Sequence, residues 1–141
     1  MTRPPFPAFS PDEMLVMAKT IYGEARGEDR QGQRAVAHVI LNRFKAQPKY
    51  GSGLAGVCLK AGAFSGWNED DPNLPRVRRI TWSNALVLRV CTISAFEAFD
   101  EYDFTQGSTH YYVNGTDAPK WAFGHAPIYS HGRHLFFNDI K

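Results

Sequence analysis

Residues 31–45 form the segment that most constrains how this chain can fold. Its apolar residues occupy nearly the whole circumference of a helix; they are Ala35, Val36, Ala37, Val39, Ile40 and Leu41. A helix that is apolar all round must be covered by other elements, so the segment predicts an interior helix. Asn42 and Arg43, near its end, then need polar partners, because an unsatisfied buried polar group costs ~1–3 kcal/mol. We expect both to hydrogen-bond to neighbouring backbone or to a carboxylate.

Two more long helices are predicted around this one. The first spans about residues 11–26; Ser10 serves as its N-cap and Glu13 completes a capping box. Gly27 is placed to end it. Residues 81–99 carry the longest helical pattern of apolar side chains, which predicts the central helix of the core.

After the helices the pattern becomes extended. Residues 109–113 are β-branched and aromatic and end at the turn signal Asn114-Gly115, which predicts a strand. A second short strand is predicted at residues 134–137. We expect the two strands to pair across the loop between them as a small β-hairpin on the helical body.

Together these elements predict a mainly α (α+β) domain over residues 10–141, preceded by an extended lead-in at residues 1–9. A chain of 141 residues buries about two thirds of the surface that it exposes when unfolded, so it needs no disulfide scaffold. Its two cysteines are Cys58 and Cys91. Cys91 lies in an apolar helical run, where a buried free thiol is expected, and one bridge between the two also stays open.

Charge and hydropathy restrict the partners of the chain. Its net charge of +2 is too weakly basic to indicate nucleic-acid binding by itself. Residues 1–7 lack the apolar core of a signal peptide, and no apolar run approaches the ~18 residues of a membrane span. We therefore expect no nucleic-acid partner, no membrane insertion and synthesis in the cytoplasm without a signal peptide.

Glu24 and Glu28 are the first candidates for chemistry. Their spacing of four residues would align both carboxylates along the surface of a helix. Both fall at the border of the first helix's apolar stripe, where partial burial raises a carboxyl pKa and lets the group hold a proton near neutral pH. The alternative is a solvated pair of glutamates that flanks Arg26.

Several segments resemble, in order, the SleB/CwlJ-like cell-wall hydrolase family, known from spore-cortex-lytic enzymes and from phage and bacterial wall hydrolases. The matching segments are residues 18–28 (AKTIYGEARGE), 32–43 (GQRAVAHVILNR), 64–67 (FSGW), 107–112 (GSTHYY), 119–121 (PKW) and 132–136 (GRHLF). The first of these segments is specific, whereas the others would be weak signals alone. Ala63 departs from the family, which often has Gln at that position.

The resemblance implies a lysozyme-like fold of the lytic-transglycosylase kind. It implies cleavage of peptidoglycan glycan strands between N-acetylmuramic acid and N-acetylglucosamine, with Glu24 as the catalytic acid. We expect no metal and no cofactor. Many members carry an export signal or a wall-binding domain that this chain lacks. We therefore expect a phage or prophage endolysin, or a cell wall hydrolase delivered to the wall by another protein, and we expect it to be a monomer.

The number of carboxylates decides between two outcomes of such a reaction. In a lytic transglycosylase, one carboxylate donates a proton to the leaving oxygen and then accepts the proton of the muramic C6 hydroxyl. A hydrolase normally uses a second carboxylate ~5 Å away as nucleophile or ~6.5–9.5 Å away to hold a water. Glu28 is the near candidate, and the remote ones are Asp70, Asp71 and Glu97. Glu28 has two alternative roles, as a structural partner of a basic residue or as a charge that tunes the pKa of Glu24.

Aromatic and polar residues of the same segments are candidates to bind the sugar. The aromatic candidates are Tyr22, Phe64, Trp67, Tyr111, Tyr112 and Trp121. Their alternative role is to pack in the core. Ser65 and His110 are candidates to hydrogen-bond the N-acetyl group or the C6 hydroxyl, or else they satisfy backbone groups at turns.

Three rival functions stay open at this point. A zinc amidase would need convergent ligands, for which the sequence offers His110, His125, His131 and His134. A Cys–His peptidase would need Cys58 or Cys91 as an exposed thiolate. A glycan-binding module without activity would keep the groove and its aromatic residues.

Overall fold

The computed structural model describes residues 6–141 of the chain, so part of the predicted lead-in lies outside it. Its α-helices are α1 (Pro11–Ala25), α2 (Arg30–Lys45), α3 (Gly53–Leu59), α4 (Leu74–Arg79) and α5 (Leu86–Asp100). Its β-strands are β1 (His110–Val113), β2 (Tyr129–His131) and β3 (His134–Phe137), and short 3-10 turns lie at Ser65–Trp67 and Lys120–Ala122. The mainly α fold with a small antiparallel sheet is therefore confirmed.

Helix α1 begins as the sequence predicts. The Ser10 side chain accepts from the Glu13 N–H at 3.1 Å, and the Glu13 carboxylate accepts from the Ser10 N–H at 3.0 Å, which completes the capping box. The helix ends at Ala25 with Arg26 as its C-cap. Glu28 consequently lies in the turn before α2, and the prediction that a helix aligns it with Glu24 is wrong.

Helix α2 is the interior helix that its composition predicts, and it packs against both α1 and α5. Residues 35–41 are all buried. The two polar residues near its end find the expected partners: Asn42 donates to the Asp103 carboxylate at 2.8 Å and to the Ser108 carbonyl at 2.9 Å. The Arg43 Nε donates to the Thr109 carbonyl at 2.7 Å. These bonds fix the end of α2 to the segment that leads into β1.

The strands form a three-stranded antiparallel sheet in the order β1-β3-β2. The predicted pairing of β1 with β3 is confirmed, and its register places Tyr111 opposite Phe136. Strand β2 was not predicted; it pairs with the other edge of β3, with Tyr129 opposite Phe136. Phe136 is fully buried, and with Ala35 and Val39 of α2 it forms the apolar contact between sheet and helices.

Other predictions differ in detail from the structure. Helix α5 starts at Leu86 rather than at residue 81, because the Asn84 side chain accepts from the Thr81 N–H at 2.8 Å and holds the preceding residues in a turn. Cys58 and Cys91 are both buried and free, which confirms the free thiol at Cys91 and removes the open possibility of a bridge. The division into residues 1–9 and 10–141 stays a prediction.

Candidate active site

Glu24 lies in the last turn of α1, beside an open cleft of about 290 Å³. The other residues that line this cleft are Gly23, Arg26, Gly27 and Arg133. Two of them are arginines, one from the end of α1 and one from the turn between β2 and β3. The side chain therefore borders a space into which a polar ligand can enter.

Two hydroxyl groups from different elements donate to the Glu24 carboxylate. The Tyr111 hydroxyl, on β1, donates to Oε1 at 2.9 Å. The Ser65 hydroxyl, at the start of the first 3-10 turn, donates to Oε2 at 3.3 Å. Each oxygen of the carboxylate thus has one donor, and helix, turn and sheet together fix its orientation.

A close backbone contact brings Ser65 to Glu24. Gly23, the neighbour of Glu24 in α1, faces Gly66, the neighbour of Ser65 in the 3-10 turn. A Cβ atom added to Gly66 would lie 3.2 Å from the Gly23 Cα atom, closer than most side-chain contacts allow. Glycine at both positions therefore lets the two backbones approach each other.

Burial raises the pKa of Glu24 above its ordinary value of 4.5, because the charged carboxylate loses hydration. The hydrogen bonds from Tyr111 and Ser65 and the charge of Arg43 act in the opposite direction, whereas the negative charge of Asp71 raises the pKa further. The pKa of Tyr111 is raised well above its usual range by burial and by Glu24, so this hydroxyl stays a hydrogen-bond donor. The raised pKa of Glu24 favours its protonated form, as a general acid requires.

Glu28 faces the turn between β2 and β3. Its Oε1 lies 3.4 Å from His134 Nδ1 and 3.9 Å from Arg133 Nε, and its side chain is 13% exposed. Among the described residues, neither Oε1 nor Nδ1 has a hydrogen-bond partner. A Cβ atom added to Gly132 would lie 3.0 Å from Glu28 Oε2. Glu28 therefore packs its carboxylate against this turn. The negative charge that raises the pKa of Glu24 is that of Asp71 instead.

A second cavity, of about 270 Å³, lies at the end of α2 beside β1. Its lining residues are Arg43, Tyr50, Lys60, Ala61, Gly62, Ala63, His110 and Trp121. The His110 and Trp121 rings are 4.9 Å apart, and the Tyr112 ring lies 5.9 Å from that of Trp121. Burial and two nearby cations lower the pKa of His110 to about 4, so its imidazole is neutral at pH 7. Two predicted sugar-binding residues, His110 and Trp121, thus line this cavity, and a third, Tyr112, contacts Trp121.

The remaining aromatic candidates pack in the core, which is the alternative that the sequence left open. Tyr22 and Phe64 are only 6% and 2% exposed. Trp67 packs against the same core, and its indole N–H donates to the Thr20 hydroxyl at 2.8 Å. These three side chains fix α1 and the 3-10 turn in place beneath the cleft.

The groups needed for the rival reactions are differently arranged. Burial raises the pKa of Cys58 and of Cys91 to about 12, so neither is a thiolate at neutral pH. Within residues 6–141, no three side chains of His, Cys, Asp or Glu converge as a zinc site requires. His131 instead contacts Asp29 at 2.8 Å, and His125 contacts Asp139 at 3.0 Å.

The family model for cell wall hydrolases matches residues 27–137 of this chain. The chain belongs to the cell wall hydrolase family. The matched segment includes Glu28, Ser65 and Tyr111 and begins just after Glu24. Glu24 itself lies outside the matched segment of this cell wall hydrolase, whereas its two hydroxyl donors lie inside it.

Similar proteins and structures agree with this membership. The chain is 30% identical over 128 residues to the spore cortex-lytic enzyme of Bacillus subtilis and 31% identical over 130 residues to that of Halalkalibacterium halodurans. These alignments cover 91% and 92% of this chain but 38% and 36% of the relatives, so this cell wall hydrolase spans little more than a third of their length.

Two solved structures share the fold of this cell wall hydrolase. The catalytic domain of the Bacillus cereus SleB protein aligns with a TM-score of 0.75 at 27% identity, covering 96% of both chains. The catalytic domain of the germination-specific lytic transglycosylase SleB from Bacillus anthracis aligns with a TM-score of 0.72 at 27% identity, covering 93% of this chain and 98% of that one.

Sequence reasoning missed several residues of the site. Asp71 was considered only as a second catalytic carboxylate, not as the charge that raises the pKa of Glu24. Tyr50 and Lys60 were not considered at all, although both line the second cavity. They lie in separate loops that carry no motif, so only the folded chain brings them to Arg43.

Proposed function

We propose that this cell wall hydrolase cleaves the glycan strands of peptidoglycan between N-acetylmuramic acid and N-acetylglucosamine, with Glu24 as general acid and then as base. One observation carries the proposal: Glu24 borders a cleft, its pKa is raised by burial, and both carboxylate oxygens are held by hydroxyl donors. A general acid needs access to substrate, a proton near neutral pH and a fixed orientation.

The proposed reaction requires only one carboxylate. Glu24 donates its proton to the glycosidic oxygen as the bond from that oxygen to C1 of the muramic residue breaks and positive charge develops at C1. The ionised Glu24 then accepts the proton of the C6 hydroxyl while O6 forms its bond to C1. The products are a 1,6-anhydromuramic end and a free N-acetylglucosamine hydroxyl, and Glu24 is protonated again.

The neighbours of Glu24 support both of its roles. Burial and Asp71 favour the protonated form, which is needed before bond cleavage. Tyr111, Ser65 and Arg43 favour the ionised form, which exists after the proton has left. The net effect is a raised pKa, and the opposing influences stabilise the ionised form in which Glu24 would accept the second proton.

The similarity to the catalytic domain named as a lytic transglycosylase in Bacillus anthracis supports this outcome. Because this chain corresponds to little more than a third of the spore cortex-lytic enzymes that it matches, the natural substrate of the whole protein is part of the proposal. The phage or prophage origin, the monomeric state and delivery to the wall by another protein stay predictions from the sequence.

A hydrolytic outcome is the second candidate, and Asp71 is the observation that favours it. Asp71 is close enough for its charge to raise the pKa of Glu24. In an inverting glycosidase a second carboxylate ~6.5–9.5 Å from the acid activates a water. Asp71 would take that role in a muramidase, whereas Glu28 is turned towards Arg133 and His134.

We propose that Glu28 is a positioning residue. Its contacts hold the turn between β2 and β3 near the end of α1, and this turn supplies Arg133 to the cleft beside Glu24. The catalytic role considered from the sequence stays an alternative. An isosteric Glu28→Gln variant that keeps the pH profile of the parent while its KM rises would fit positioning, whereas loss of one limb of the profile would indicate proton transfer.

Mass spectrometry of the soluble products from purified peptidoglycan tests the proposed reaction. We expect muropeptides with 1,6-anhydromuramic ends, which lack one water relative to the hydrolysed product. Hydrated reducing ends would contradict the transglycosylase reaction and indicate that the protein is a muramidase. Freed peptide stems, or binding to the wall without any soluble product, would contradict glycan cleavage and favour an amidase or a glycan-binding module.

A further inference from the structure

The second cavity contains an arginine that is held rigidly but keeps unused donors. The Arg43 guanidinium lies between two rings, with its Cζ atom 5.0 Å from the centre of Phe64 and 5.3 Å from that of Tyr50. Its Nε donates to the Thr109 carbonyl at 2.7 Å. The rings and this bond fix the plane of the guanidinium, although Arg43 as a whole is only 8% exposed.

The outer edge of this guanidinium is free to bind a ligand. Among the described residues, neither of its two Nη atoms forms a hydrogen bond. Neither is fully buried, since both are absent from the buried polar atoms without a partner. The Nη atoms are therefore accessible from the cavity that Arg43 lines. A planar guanidinium with two open N–H groups matches the geometry of a carboxylate.

The charges around the cavity are positive. Lys60 lines it, and Lys49 lies close enough for its charge to act on His110. None of the residues that line the cavity within the described part of the chain is acidic. An anion that enters therefore meets positive charge from the lining, and Glu24 is a carboxylate whose charge also acts on Arg43.

Arg43 connects this cavity to the proposed catalytic carboxylate. Its charge acts on Glu24 and on Tyr111, whose hydroxyl donates to Glu24. Phe64, whose ring lies against the guanidinium, directly precedes Ser65, the second donor to Glu24. A ligand bound at Glu24 would need to place a substituent in this cavity to reach Arg43.

We propose that the Arg43 cavity binds a carboxylate carried by the substituent at O3 of the muramic residue, either the lactyl carboxylate itself or one on the peptide attached to it. This inference rests on the proposed function, because it identifies the part of a glycan strand that distinguishes peptidoglycan from uncharged polymers of N-acetylglucosamine. The lactyl group and the peptide share the same chemistry, and the experiment separates them.

Binding to a Glu24→Gln protein tests this inference without depending on cleavage. The probes are soluble glycan strands with intact stems and strands whose stems were removed by an amidase, which leaves the lactyl carboxylate free. Each is compared with a copy whose carboxylates are converted to neutral amides. In at least one pair, we expect the charged form to bind on the order of tenfold more tightly than its neutral copy. The reason is that the neutral copy lacks the charge-assisted bidentate contact between a carboxylate and the Arg43 guanidinium. The pair that shows the preference identifies the source of the carboxylate.

Added substitutions assign the preference to this cavity. Arg43→Gln should abolish it, whereas Arg133→Gln in the other cleft and Arg89→Gln on the exposed face of α5 should retain it. Because Arg43 is buried, its replacement could also unfold the protein, so Lys60→Glu serves as a second, exposed variant. Lys60→Glu should also reduce the ratio of the affinity for charged strands to the affinity for neutral strands. Partial unfolding leaves this ratio unchanged.

Equal affinity for charged and neutral strands would overturn the inference. A preference that survives Arg43→Gln, or one that is lost only with Arg133→Gln, would overturn it as well. These results are distinct from failure of the proposed function, which is the absence of glycan cleavage by the unsubstituted protein.

Discussion

At the scale of single residues, the proposed chemistry depends on how Glu24 is held. Its raised pKa results from burial and from Asp71, and it is limited by two hydroxyl donors and by Arg43. The sequence identified Glu24 because its position at the border of an apolar stripe and its motif are local features. The Tyr111 donor comes from a strand 87 residues further along the chain, so its contact with Glu24 could not be predicted from local pattern.

Replacing Tyr111 by Phe should move the pH profile in a defined direction. The Tyr111 hydroxyl lowers the pKa of Glu24, so its removal should raise that pKa further. Since the proposed reaction needs protonated Glu24, the decrease of kcat/KM at high pH should shift to higher pH, with a loss of about tenfold or less in the maximum. Ser65→Ala, which removes the weaker donor, should shift the same limb by a smaller amount. A limb that stays in place or moves to lower pH would contradict the assigned role of Tyr111.

At the scale of elements, the site depends on how closely α1 and the first 3-10 turn approach each other. The FSGW segment was noted as part of the family resemblance, but the reason for its glycine lies in the contact between Gly66 and Gly23. The sequence pattern predicts helix α1 and its capping box, because both depend on residues that are close together in the chain. It does not predict a backbone contact between segments separated by some forty residues. The turn at residues 81–84 was missed for a similar reason, since one Asn side chain outweighs the helical pattern there.

Replacing Gly66 by Ala should separate these two elements by a few tenths of an ångström. The added Cβ atom would lie 3.2 Å from a backbone atom that cannot rotate away. We expect a loss of ~1–3 kcal/mol in the free energy of unfolding and about a tenfold decrease in activity, as the Ser65 hydroxyl moves away from Glu24. Gly56→Ala in α3 is the matched control, because a Cβ atom there meets nothing within 4 Å. Equal behaviour of the two variants in urea unfolding and in activity assays would refute the contact.

At the scale of the whole molecule, a helical body and a small sheet are joined through α2 and Phe136. The interior position of α2 and the pairing of β1 with β3 follow from hydrophobic pattern. Strand β2 does not, because Tyr129, Ser130 and His131 are too few to show alternation and depend on β3 for their backbone partners. The cavity at Arg43 is formed by the end of α2, a strand and loops distant in sequence, so the separate motifs that carry Arg43, His110 and Trp121 do not show that they meet.

Replacing Phe136 by Ala should weaken this junction more than any site substitution does. Its ring is fully buried and faces Ala35 and Val39. We expect a decrease of ~3–5 kcal/mol in the free energy of unfolding, measured by urea denaturation. Leu135→Ala, on the opposite face of the same strand and only half-buried, should cost clearly less. If both changes cost the same, the sheet is not joined to the helices through Phe136.

The most direct test of the central claim is the rate at which a Glu24→Gln variant solubilises purified peptidoglycan. An amide is nearly isosteric with the carboxyl group but cannot supply the proton. We expect the rate to fall by a factor on the order of 10²–10⁴ while the circular dichroism spectrum stays that of the parent protein. A correctly folded variant that solubilises the wall as fast as the parent would contradict the assignment of Glu24 as the acid.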